Sequence, residues 1–191
     1  MRQRTDEKAF IERLHNHDED AFRLLIEENQ QSIYNLCLDW VVNERDAEEL
    51  AQDVFVETYR NIENFRGDSV IKTWLIRIAI NKCKDFLKSK NRMKRSVINQ
   101  SSSPDPETLN ISDSFNHPGF RLEQKENAGL IYKALDEIPF AQKTAFLLFE
   151  AEEMTYEEIA RIMNKSTSSV ESLLSRAREN LRKKLSGYFK S

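Results

Sequence analysis

Apolar residues recur at steps of three and four along most of the chain, the period of a helix buried on one side. Positions 5–14 read as a short helix of this kind. Asp18 is placed to cap a second helix carrying Ala21, Phe22, Leu24, Leu25 and Ile26, and a third carries Ile33, Tyr34, Leu36, Cys37, Leu38, Trp40 and Val41. Asp46-Ala-Glu-Glu49 has the form of a capping box, Asp46 accepting from backbone N–H groups and Glu49 reaching back. Behind it Ala47, Leu50, Ala51, Val54, Phe55, Thr58, Tyr59 and Ile62 mark a well-formed amphipathic helix. The pattern breaks at Phe65-Arg-Gly-Asp-Ser69 and resumes with Ile71, Trp74, Leu75, Ile78, Ala79, Cys83 and Phe86.

Periodicity fails between 96 and 120, where Ser101-Ser-Ser-Pro-Asp-Pro106 and His117-Pro-Gly119 have the composition of a linker. Beyond it, 122–138 reads as one helix, and Pro139 suits the start of the next, 140–151. Thr155-Tyr-Glu-Glu158 is a second capping box, opening a short helix with Tyr156, Ile159, Ala160 and Met163 inward. Asn164 tolerates the left-handed turn that closes it. Ser168-Ser-Val-Glu171 fits a third box, heading a helix with Val170, Leu173, Leu174, Ala177, Leu181 and Leu185 on one face. The expected fold is all-α: helical domains over 1–95 and 121–191, joined by a flexible linker over 96–120. The second contains a helix–turn–helix.

Composition agrees. Four Gly and four Pro in 191 residues are too few for a turn-rich β protein, and no glycines cluster into a phosphate-cradling loop. Cys37 and Cys83 are expected to be reduced, buried thiols. No apolar run reaches the roughly 20 residues needed to span a bilayer, and the N-terminus is no signal peptide, so a cytoplasmic protein without membrane contact of its own is expected. His15, His17 and His117 lack helix-spaced His or Cys companions, so no metal is expected, and no other cofactor. No nucleophile–base pair stands out, and the chain is not expected to be an enzyme.

The net charge of −3 hides a strong segregation. Positions 39–63 hold eight acids against two bases, and positions 66–95 hold ten bases against two acids. Either the two faces pair with each other, which gains little per exposed pair, or one faces a basic protein and the other a nucleic acid. Phe65, Trp74 and Phe86 interleave the basic segment, as in platforms for unstacked bases, although Phe86 suits the core better. In the second block a helix starting near Ser168 could enter a major groove, presenting Ser168, Ser169, Glu171, Ser172, Ser175 and Arg176. Arg178, Arg182, Lys183 and Lys184 would then lie near phosphates. An ordinary helical hairpin shares that periodicity. A free-standing helix–turn–helix regulator of duplex DNA is one functional reading; it leaves the acidic helix and the Trp-bearing basic helix unexplained.

The motifs 46–55, Phe65-Arg-Gly-Asp68 and Thr73-Trp-Leu-Ile-Arg-Ile-Ala79 with Asn81 resemble region 2 of the extracytoplasmic-function (ECF) sigma factors of bacterial RNA polymerase. Thr155-Tyr-Glu-Glu-Ile-Ala160 and Ser175-Arg-Ala-Arg178 resemble region 4 of the same family. The resemblance implies an alternative sigma factor that binds core RNA polymerase and promoter DNA, recognises −10 and −35 elements and nucleates melting. Asp46, Leu50, Gln52, Asp53 and Phe55 would dock on the polymerase clamp helices. Phe65, Arg66, Gly67, Asp68 and Ser69 would capture a base flipped from the −10 element. Trp74, Arg77 and Asn81 would hold the melting junction, and Lys84 and Lys88 the backbone. Ser168, Ser169, Glu171, Ser172, Ser175, Arg176 and Arg178 would serve the −35 element, Ser172 and Arg176 towards base edges. The linker acids Asp105, Glu107 and Asp113 would thread the polymerase channel, and a cognate anti-sigma factor is a further implied partner. This chain departs from the family pattern at Glu171 and Leu173, where a basic residue and an arginine are common, and at Glu153, where many relatives have Gly. A carboxylate at 171 repels phosphate but accepts from cytosine N4, so an unusual −35 sequence is expected.

Overall fold

The computed structural model describes residues 2–67, 70–100 and 122–188, with side chains described over 7–67, 70–93 and 129–187. Positions 101–120 of the expected linker, with its acids, therefore lie outside the described residues, as do Asp68 and Ser69. Every regular element among the described residues is helical: α1 (Arg2–His15), α2 (Glu19–Val41), α3 (Glu44–Asn61), a 3-10 turn (Ile62–Asn64), α4 (Ile71–Gln100), α5 (Leu122–Asp136), α6 (Phe140–Glu150), α7 (Tyr156–Met163) and α8 (Thr167–Tyr188). No helix among them is long and apolar enough to cross a membrane.

Asp18 caps α2 as expected, accepting from the Ala21 N–H at 2.9 Å. The two helices expected over 21–41 are one continuous helix. The polar stretch between their apolar stripes contains no Gly or Pro to break it, and Asn29 turns its amide back onto the Leu25 carbonyl at 2.8 Å. Nor does α3 start where its sequence suggests. Asn43 caps it, accepting from the Asp46 N–H at 2.9 Å, which puts Asp46 inside the first turn. The box at Thr155–Glu158 forms in full, and Asn164 closes α7 at φ +51. At α8 the cap is Ser166, whose hydroxyl accepts from the Ser169 N–H at 3.2 Å, two residues before the expected Ser168. α4 continues to Gln100, beyond the expected boundary at 95.

Helices α2, α3 and α4 pack on one another around Leu25, Leu36, Trp40, Val54, Leu75 and Ile76, with α1 laid across α2 and the 3-10 turn. Helices α5 to α8 form the second unit around Leu135, Leu148, Ile159, Leu174 and Ala177. Cys37 and Cys83 are free and fully buried. Their mutual hydrogen bond, reinforced by burial, pushes the Cys83 thiol far above its ordinary range. The two units meet where α7 packs on α4. Polar ties cross this seam: the Tyr132 hydroxyl donates to Asp39, the Lys143 ammonium reaches the Trp40 carbonyl at 3.3 Å, and Lys72 lies 3.8 Å from Glu152.

Candidate functional site

Three surfaces carry the expected site residues. The first is a groove of about 490 Å³ between α2 and α3, lined by Ile26, Gln30, Gln31, Tyr34, Glu48, Ala51, Gln52 and Phe55. Gln52 and Phe55 are the two of these that the resemblance assigned to polymerase contact. The α2 side was not, because breaking α2 in two hid the i, i+4 line of Ile26, Gln30 and Tyr34, which was the signal available. Leu50 is only 5% exposed and is not among the residues that line the groove. Asp53 is exposed and 4.0 Å from Lys82, which also sits 3.5 Å from Glu57; Asp46 holds Lys90 at 3.0 Å. The acidic flank of α3 is thus partly paired with the basic flank of α4. Such half-exposed pairs contribute little, and a partner can exchange them at small cost.

The second surface is α4 with the loop before it. Trp74, Arg77, Asn81, Lys84 and Lys88 follow steps of 3, 4, 3 and 4 and so share one face, a line about 21 Å long at helical rise. Arg77, Asn81, Lys84 and Lys88 are exposed and Trp74 is half-buried. Lys88 is 3.4 Å from Asp85. Phe65 is 3% exposed, its ring 5.4 Å from that of Trp74, so it anchors the loop with its side chain turned inward. Arg66 and Gly67 are exposed, and Gly67 turns the chain at φ +72, where a side chain would be strained. The Phe65 carbonyl faces the imidazole of His15, with Nε2 at 2.9 Å, a contact across 50 positions that no local pattern signals.

The third surface is the start of α8. Ser168, Glu171, Ser172, Ser175 and Arg176 are exposed there, and Ser169 is half-buried. Ser172 donates its hydroxyl to the Ser168 carbonyl at 3.0 Å, which leaves its oxygen lone pairs as acceptors. Arg178 behaves differently from its neighbours. Its guanidinium sits 5.1 Å over the Phe149 ring and 3.2 Å from Glu150, so it stitches α8 to α6. Below it, Lys183 and Lys184 pair with Glu179 and Glu137. Glu171, Ser175, Arg178 and Arg182 line a shallow recess with Tyr156 of α7.

Residues 25–93 match the Sigma-70 region 2 family, and residues 128–181 match Sigma-70 region 4. The chain is 31% identical to the ECF RNA polymerase sigma-E factor of Haemophilus influenzae, over 97% of its own length and 98% of the relative. Among solved structures, CnrH in complex with the cytosolic domain of CnrY superposes at a TM-score of 0.67, with 18% identity, over 95% of this chain and 97% of that one. The sigma factor RpoE of Bartonella quintana, solved with the anti-sigma factor NepR, superposes at 0.60, with 22% identity, over 86% and 96%. These likenesses cover both helical units, in the order in which the two regions occur here, and the chain belongs to the ECF sigma factors of bacterial RNA polymerase.

Proposed function

We propose that this chain docks on core RNA polymerase through the α2–α3 groove, captures a flipped −10 base in the 65–69 loop, holds the melted junction along the Trp74–Lys88 face and reads a −35 element with the start of α8. The chain is the specificity subunit and the polymerase makes the RNA. The observation that carries this reading is that region 2 and region 4 matches lie in one chain, in that order, over residues 25–93 and 128–181. The geometry supports it with an open groove that includes Gln52 and Phe55 and a basic line on α4 ending at a half-buried Trp. A free-standing duplex-binding regulator would need neither the groove nor the exposed acids beside it.

The test mixes the purified chain with core bacterial RNA polymerase and follows complex formation by gel filtration. Wild type is expected to co-elute. Asp53→Arg is expected to weaken binding roughly tenfold, a modest loss for a charge at a protein interface, with its thermal melt unchanged. Absence of a wild-type complex, with the chain folded and free of inhibitor, would overturn the assignment of this groove.

A further inference from the structure

The loop that begins at Phe65 is gripped at its root by α1, a helix outside the basic face itself. His15 closes that helix, and its Nε2 lies 2.9 Å from the Phe65 carbonyl oxygen, so the ring N–H donates to it. One turn earlier, Ile11 underlies the loop, its Cδ1 3.9 Å from where a Cβ on Gly67 would stand. Two residues on, His17 sits 3.8 Å from Glu63 and lies tilted against the Tyr59 ring with centroids 4.8 Å apart. The Phe65 ring is meanwhile fixed against Trp74. A peptide is planar, so holding the Phe65 carbonyl fixes the plane through which the chain enters Arg66 and Gly67. An entry turn already set in one path loses less freedom when a ligand binds beside it.

We propose that His15 is a positioning residue for base capture. Its N–H aims the Phe65 carbonyl, and with it the exposed turn at Arg66 and Gly67, towards the base that the loop receives. The proposal rests on the reading that this loop captures a −10 base. It places α1 in promoter opening without any contact between α1 and DNA.

The experiment uses full-length chain assembled with core polymerase. A promoter selected by wild-type holoenzyme from a randomised duplex library supplies the probes: a short single strand from its −10 region, and the duplex −35 region. His15→Gln keeps an N–H donor at about the reach of Nε2, whereas His15→Asn falls short and His15→Ala has none. Ala and Asn are expected to weaken single-strand binding about 3- to 10-fold, the size of one hydrogen bond. Gln should stay within about twofold of wild type, and core and −35 affinities should not move. Arg66→Ala serves as the loop control. If it weakens single-strand binding while His15→Ala does not, the tether is overturned and the loop reading stands. If neither Arg66→Ala nor Gly67→Ala has an effect, the loop reading falls and the role of His15 falls with it. If core binding drops in step with single-strand binding in every His15 variant, His15 is a fold residue only and the proposal is overturned.

Discussion

Glu153 occupies the turn between α6 and α7 at φ +51, a left-handed conformation that costs a residue with a Cβ on the order of 1 kcal/mol or more. The turn needs it. With Glu153 left-handed, the Met154 N–H returns to the Leu148 carbonyl at 3.1 Å and the chain reaches Thr155, the cap of α7. Glycine in this position removes the strain but adds freedom to the unfolded chain, an opposing effect of about 0.5–1 kcal/mol. Glu153→Gly is therefore expected to stabilise the chain modestly, by under about 1 kcal/mol in chemical denaturation, and Glu153→Val to destabilise it by more. That position was visible in advance because the family resemblance set Glu153 against a common glycine. Leu50 and Phe65 show the opposite case. Both belong to motifs carried over as contact residues, yet Leu50 also lies on the apolar stripe of α3, and the stripe correctly places its side chain inward. For Phe65 no periodicity existed to weigh against the motif, since burial there comes from Trp74, nine positions on and in the next helix.

Among the helices, where each lies was easier to read than where it begins. Asn43 and Asp46, or Ser166 and Ser168, are all competent cap residues within one turn of each other, and local pattern does not choose between them. In the fold Asn43 takes the cap of α3, with Ala47, Leu50 and Val54 fully or nearly buried behind it. At α7 there was no competition. Thr155 accepts from the Glu158 N–H at 3.3 Å and Glu158 accepts from the Thr155 N–H at 2.9 Å. Thr155→Ala is expected to cost about 1 kcal/mol, the usual loss for a cap, seen as a lower denaturation midpoint with an unchanged slope. The Thr155 N–H foremost, and the Thr155 hydroxyl, which donates to the same carboxylate at 2.8 Å, hold the Glu158 carboxyl below its ordinary range. Its folded value is depressed, so this contribution is present above pH 4.5 and is lost as pH falls through the folded value. Thr155→Ala removes the hydroxyl but keeps the backbone N–H, so that acid-side loss should shrink only in part. The melt of wild type and variant, followed by circular dichroism from neutral pH downwards, would reveal the difference.

The contact between the two units was the least legible feature, because its residues look ordinary one at a time. Asp39 reads as one more acid in an acidic run and Lys143 as one more cation on a short helix. In the fold, Lys143 is 3% exposed, bridging Asp136 at 2.6 Å to the Trp40 carbonyl, and Asp39 is 5% exposed beneath the Tyr132 hydroxyl. Burial and the neighbouring Asp39 push the Tyr132 hydroxyl far above its ordinary range, so it remains a donor at any working pH. Glu152 is a carboxyl of the seam whose ordinary value is shifted. Burial raises its carboxyl above the ordinary value of 4.5, the charge of Asp39 on α2 raises it further, and Lys72 on α4 and the Ser32 hydroxyl oppose both. The sign follows from proton counting. With its folded value raised, the docked form binds more protons than the open form between pH 4.5 and that value, so docking weakens as pH rises through this window. The window lies above the one in which Glu158 is lost, and its sign is opposite, so the two effects separate on one titration. Energy transfer between dyes placed on α3 and α8 should fall as pH rises from 4.5, and Glu152→Gln, which carries no charge at any pH, should level that slope. A slope that survived Glu152→Gln would assign the titration to another group. A level wild-type trace would mean that the Lys72 pair fully offsets burial, leaving the polar ties of Lys143 and Tyr132 to hold the two units together.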